Sequence, residues 1–221
     1  MDKKTIWIIV GLVGGYIFCQ VLADIAATKL IIVAGTAIPS GTFIFAATFT
    51  LRDLLHKRLG KNWAKAVIWT AAGLNVIMAL YVQGMAAIPA PEYYPYDEAW
   101  SSIFAFVPAI VVASIVAELI AELLDTEIYH WWWKNKGNWP QWTRVFASNM
   151  ISLPVDSLIF AGLGFVFLPP LFGGEPLPLE ALPAIISGQI VVKGLITILS
   201  MPTIYLVKEQ PLLATEEVGL D

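Results

Sequence analysis

Polar residues in this chain recur as sparse stripes through long apolar runs. About 20 consecutive apolar residues cross a bilayer as a helix, and six segments reach or approach that length: 6–33, 42–56, 65–87, 102–124, 144–168 and 181–207. The second is the shortest and ends in Arg52-Asp53, so a tilted or partly lipid-facing helix is expected there. The pattern predicts an all-α polytopic membrane protein with six transmembrane helices, in one transmembrane domain over residues 1–221.

Within the runs, polar positions keep the helical repeat. Gln20, Asp24 and Thr28 are four apart in the first helix; Ser114, Glu118 and Glu122 repeat the pattern in the fourth. Asn149, Ser152 and Asp156 share a face of the fifth, and Gln189, Lys193 and Thr197 a face of the sixth. Lys29 lies five after Asp24, well around the helix from it. An ionised side chain at a bilayer centre costs roughly 2.5–3.5 kcal/mol or more, so these stripes are expected to converge on a shared polar interior. Asp156 carries the strongest signal. Pro154 just before it leaves the carbonyl of Met150 without its usual donor, which membrane helices tolerate where the freed group is buried in protein or lines a cavity. Carriers build midplane sites from a carboxylate beside an interrupted helix. The competing structural reading makes Asp156 with Lys193, or Glu118 with a neighbour, simple ion pairs or interhelical hydrogen bonds.

Composition agrees with the pattern: 58% hydrophobic and 14% charged residues over 221 positions define a membrane protein, and a net charge of −4 gives no basic excess for nucleic acid. Lys and Arg matter by position. Lys3, Lys4, Arg52, Lys57, Arg58, Lys61, Lys65, Lys134, Lys136 and Lys208 fall in alternate loops or at the ends. Segments 34–41, 88–101 and 169–180 hold no Lys or Arg but contain Glu92, Asp97, Glu98, Glu175 and Glu180. The positive-inside rule then predicts both termini in the cytoplasm and a multi-pass cell-membrane location. Thr5–Ala23 has the look of a signal peptide, yet the apolar stretch runs on past it, and retention as the first helix is expected. Trp131–Trp133, Trp139, Trp142 and Tyr93, Tyr94, Tyr96 and Trp100 crowd two loops. They read as headgroup anchors rather than a stacking platform.

Cys19 is the single cysteine, which excludes an intramolecular disulfide and a cysteine metal cluster. There is no G-x-S-x-G, H-E-x-x-H or glycine-rich phosphate loop, and His56 and His130 fall near predicted span ends. No enzyme, no cofactor and no metal site is expected.

Several segments resemble the queuosine precursor transporter family, a vitamin-uptake group of small six-helix membrane proteins. They are Ala23-Asp-Ile-Ala-Ala-Thr-Lys29; Gly41-Thr-Phe-Ile-Phe45 leading to Asp53 and Gly60; Glu122-Leu-Leu-Asp125; Ser148 through Asp156 to Phe160 and Phe165; and Lys193 with Pro202 and Tyr205. Asp24 departs from the pattern, where Asn is usual, as do Ala46 for Pro and Lys57 for an acidic residue. The resemblance implies import of a 7-deazaguanine-type base for salvage into tRNA modification. Its partners would be a nucleobase-like small molecule and the lipid bilayer, with homo-oligomerisation left open. The candidate substrate-binding residues are Asp24, Lys29, Glu118, Glu122, Asn149, Ser152, Asp156, Gln189 and Lys193. Two alternatives remain: a substrate-binding subunit that borrows an external ATP-driven module, and a membrane assembly factor that transports nothing.

Overall fold

The structure is a computed structural model that describes residues 3–59, 61–135, 139 and 141–200. Its elements are α1 (Lys3–Ala27), β1 (Leu30–Val33), β2 (Thr36–Pro39), α2 (Thr42–Leu59), α3 (Lys61–Ala86), α4 (Asp97–Phe104), α5 (Val107–Asn135), α6 (Gln141–Gly162) and α7 (Leu182–Ser200). Five stretches are long and apolar enough to cross a membrane: Lys3–Ala27, Trp63–Ala86, Asp97–Ala121, Phe146–Phe167 and Leu179–Leu199. The apolar part of α2, Thr42–Arg52, is shorter. The described chain is a polytopic helical membrane protein, as its pattern predicts, with five full-length candidate spans rather than six.

The first helix is the main departure. The expected span 6–33 stops at Ala27, and the apolar residues after it form an antiparallel hairpin with Leu30 opposite Pro39 and Val33 opposite Thr36. The cause is local. Ile31-Ile-Val33 and Thr36-Ala-Ile38 are rich in β-branched residues, and Ala34 and Gly35 between them take φ of 50° and 83°. Two consecutive positive φ values make the two-residue turn whose twist suits a hairpin. Thr28 Oγ1 donates to the Ile25 carbonyl at 2.8 Å, and Ser40 Oγ donates to the Ala26 carbonyl at 2.6 Å, so the hairpin is tied to the end of α1.

The hairpin folds back against α7. Gly188 makes this possible: a Cβ there would overlap Cγ2 of Ile38 and press on the Ala37 carbonyl. Gly41 plays the same part between α1 and α2, because a Cβ would overlap the carbonyl oxygen of Ala23. Both close approaches bring backbone to backbone, as small residues do at helix interfaces in membranes.

Other boundaries move less. The span expected over 102–124 is broken into α4 and α5 at Ala105–Phe106, and α5 continues to Asn135. α6 passes through Pro154 and ends in a π-helical turn, Leu163–Phe167, that carries Phe165 into the core. The carbonyl of Phe165 accepts from the backbone N–H of Leu177 at 2.8 Å, so this loosened backbone stays satisfied. The sixth expected span begins at Leu182; its portion beyond Ser200 lies outside the described residues.

Three apolar clusters hold the bundle: Tyr16, Leu55, Leu59, Ala64, Val67 and Ala71 joining α1–α3; Ala27, Ile110, Ala161, Phe165 and Ile185; and Ala79, Val82, Val107 and Val111. Trp7, Trp69, Ile77, Leu80, Leu195 and Leu199 point outward. In water such exposure would be a liability, whereas in a bilayer it is the lipid face.

Candidate substrate-binding cavity

Polar side chains from four helices line one small cavity. α1 brings Asp24, α5 brings Ser114, α6 brings Asp156, and α7 brings Gln189 and Lys193; all are buried. Thr42 and Phe45 of α2, Phe160 of α6 and Pro39 of β2 complete the wall. The hairpin therefore closes the cavity at the C-terminal end of α1. Gly41 lets α2 lie against α1 beside Asp24, which sets Thr42 and Phe45 in the lining.

Lys193 is held from three sides. Its Nζ donates to Asp156 Oδ2 at 2.5 Å, with both side chains 2% exposed, and stands 5.1 Å from the Phe45 ring centroid and 5.7 Å from that of Phe160. A buried ammonium needs such company: the carboxylate cancels its charge, and the ring faces add the attraction of their quadrupoles.

Asp24 and Gln189 are in a different condition. Ser114 hydrogen-bonds the Asp24 carboxyl, but Asp24 Oδ2 makes no hydrogen bond among the described residues, and neither do Nε2 and Oε1 of Gln189. A buried polar atom left unmade costs about 1–3 kcal/mol, so three at one cavity mark a place where the fold sacrifices stability. Together they offer two acceptors and an NH₂ group, a set suited to the mixed donor and acceptor edge of a planar polar ligand.

The cavity itself is small, about 20 Å³. That is room for about one water molecule, against the ~300–1,000 Å³ of ordinary ligand pockets. The cavity as it stands has no room for a ligand of ordinary size.

The candidates from sequence are distributed unequally. Asp24, Asp156, Gln189 and Lys193 line the cavity. Glu118 does not: its Oε1 accepts from Tyr16 Oη at 2.9 Å and from Gln20 Nε2 at 3.1 Å, one turn along the α1–α5 seam. Ser152 is buried outside the lining, and Asn149 faces a mainly apolar groove between α6 and α7 with Thr197. Lys29 is exposed beyond the end of α1, where its backbone carbonyl accepts from Ser40 N–H at 2.8 Å. The Glu122 side chain lies outside the described residues. Thr42, Phe45, Phe160 and Pro39 are lining residues absent from the sequence candidates, because apolar residues and a lone threonine carry no polar-stripe signal. Among the described residues no cluster of three or more His, Cys, Asp or Glu could hold a metal ion.

An apolar helical bundle with five stretches long enough to cross a membrane, and with buried polar side chains from four helices lining one cavity, defines the class: an integral membrane protein. The family profile described as "Putative vitamin uptake transporter" matches residues 39–207, and the chain belongs to that family of membrane transporters. It is similar to the "Probable queuosine precursor transporter" of Bacillus subtilis (strain 168), with 20% identity over 196 residues, 87% of this chain and 81% of that protein. No solved structure matches the chain.

Proposed function

We propose that this chain imports a queuosine precursor, a 7-deazaguanine-type base, for salvage into tRNA modification. The observation that carries the reading is the set of unengaged atoms, Asp24 Oδ2 and Gln189 Nε2 and Oε1, at one closed cavity of an otherwise apolar bundle. A 7-deazaguanine presents adjacent N–H donors and a ring carbonyl, which this set complements. The name of the Bacillus subtilis relative supports the same substrate class.

Gln189 then donates to one atom of the base and accepts from another, while Asp24 Oδ2 accepts from an N–H group of the bound molecule. The Asp156–Lys193 pair fixes α6 to α7 and holds the ammonium against Phe45 and Phe160, which border the ligand's ring. Glu118, with Tyr16 and Gln20, latches α1 to α5 below the cavity. Because 20 Å³ admits no base, the bundle opens to load and to release, and the structure corresponds to the form between. With α2 as a sixth, short crossing, both termini and the 57–65 segment lie in the cytoplasm, and 88–101 lies outside.

The test is genetic. In a bacterium unable to make the precursor, with limiting precursor supplied outside, expression of this chain should restore queuosine in tRNA. Membrane-inserted protein with no restoration would end the proposal.

A further inference from the structure

The cavity holds more acidic than basic groups. Its lining contains two carboxylates, Asp24 and Asp156, and one ammonium, Lys193. Lys193 is held by Asp156 at 2.5 Å and by the faces of Phe45 and Phe160, and Asp24 Oδ2 receives no hydrogen bond from it. Among the described residues that line the cavity, Lys193 is the only basic one. From α2 the lining contributes Thr42 and Phe45, from α5 Ser114, from β2 Pro39, and from α7 the neutral Gln189 besides Lys193. Lys29, the nearest basic residue in sequence, is exposed beyond the end of α1.

The neighbouring cluster does not repair the imbalance. Glu118 accepts hydrogen bonds from Tyr16 and Gln20, and Arg52 lies close enough to Tyr16 to act on it electrostatically, so that end of the seam has its own cation. Glu118 also acts on Asp24, and as a carboxylate it adds to the negative potential there. The Asp24 Oδ2 atom, buried and unengaged, is the point where a positive charge is best received.

We propose that Asp24 is a specificity-determining residue that selects substrates bearing an ammonium group over uncharged analogues of the same shape. This rests on the reading of the cavity as a 7-deazaguanine site. A substrate amine placed at Asp24 Oδ2 makes a charge-assisted hydrogen bond and brings the cavity to two positive and two negative charges. An uncharged substituent leaves the Asp24 carboxyl without a cation in an apolar bundle, where burial penalises its charged form. The discrimination therefore grows as the cavity closes, where it decides which bound molecules are carried across.

Two probes separate the charge from the shape: 7-aminomethyl-7-deazaguanine and its 7-hydroxymethyl analogue. Their binding to the purified full chain in lipid nanodiscs should differ by tenfold or more in favour of the amine. In Asp24→Asn the ratio should fall to within about twofold, and in Asp24→Glu the preference should persist. Equal binding of the two probes by the unsubstituted protein overturns the proposal without touching the wider reading. Full preference retained in Asp24→Asn overturns it as well, since the selection would then lie elsewhere. Failure of both probes to bind the unsubstituted protein removes the 7-deazaguanine reading and this inference with it.

Discussion

Asp156→Asn keeps the size of the side chain while removing its charge, and it leaves Lys193 buried at 2% exposure without the carboxylate that pairs with it. Removing one partner of a buried ion pair costs about 3–5 kcal/mol, because the other charge remains desolvated. The faces of Phe45 and Phe160 retain part of the ammonium's stabilisation, roughly 0.5–2 kcal/mol each, which places the expected loss toward the lower end of that range. For a chain of this length 1 kcal/mol corresponds to about 2–4 °C in Tm, so the melting temperature in detergent should fall by roughly 6–12 °C. Lys193→Met added to Asp156→Asn removes the stranded charge and substitutes a flexible apolar chain, so most of the lost stability should return. Uptake should not return with it, since the ammonium no longer holds the cavity wall. The assay is a double-mutant cycle, with detergent Tm and liposome uptake measured on the parent, both single variants and the double. Normal Tm and normal uptake in Asp156→Asn would refute the reasoning, reducing the pair to an incidental contact.

Gln189→Leu should separate binding from folding in the opposite sense: neither amide atom has a hydrogen-bond partner among the described residues, so Tm should hold or rise while uptake falls at least tenfold, and a Tm loss as large as that of Asp156→Asn would contradict it. Gly41→Ala should cost about 1–3 kcal/mol by forcing α2 off the Ala23 carbonyl, whereas Gly73→Ala, with nothing within 4 Å of its added Cβ, should leave Tm unchanged or higher by thermal-shift assay. In a Cys19→Ser background, a membrane-impermeant maleimide applied to intact cells should label Tyr94→Cys but not Asn62→Cys; the reverse pattern would invert the proposed topology.

Much of the bundle was legible because lipid and protein interior impose one simple rule on side chains. A helix whose polar residues recur every four positions turns that face away from lipid, and Asp24, Gln189 and Lys193, each from such a stripe, line the cavity. The ion-pair alternative for Asp156 and Lys193 was also legible, since each needed a buried opposite charge. Face arithmetic gave direction but not depth. Asn149 lies seven residues from Asp156, about 10.5 Å along the helix, farther than so small a cavity extends. Glu118 is similarly displaced by one turn from Ser114 and meets Tyr16, a residue that an apolar pattern counts as core. The hairpin was hidden because Leu30–Val33 is as hydrophobic as the helix before it. Periodicity cannot distinguish a short apolar strand from more helix, and only the β-branched run and Ala34-Gly35 mark the change. Lys29 followed that error, because a residue placed on a continuing helix falls beyond its end.

The most direct test of the central claim is uptake by the purified chain alone, reconstituted in liposomes without any ATP-driven partner and offered a radiolabelled 7-deazaguanine. Saturable accumulation is expected, which unlabelled ligand competes away and which Gln189→Leu and Asp156→Asn each reduce at least tenfold at equal protein incorporation. Accumulation no greater than in empty liposomes, from protein that melts cooperatively, would contradict it.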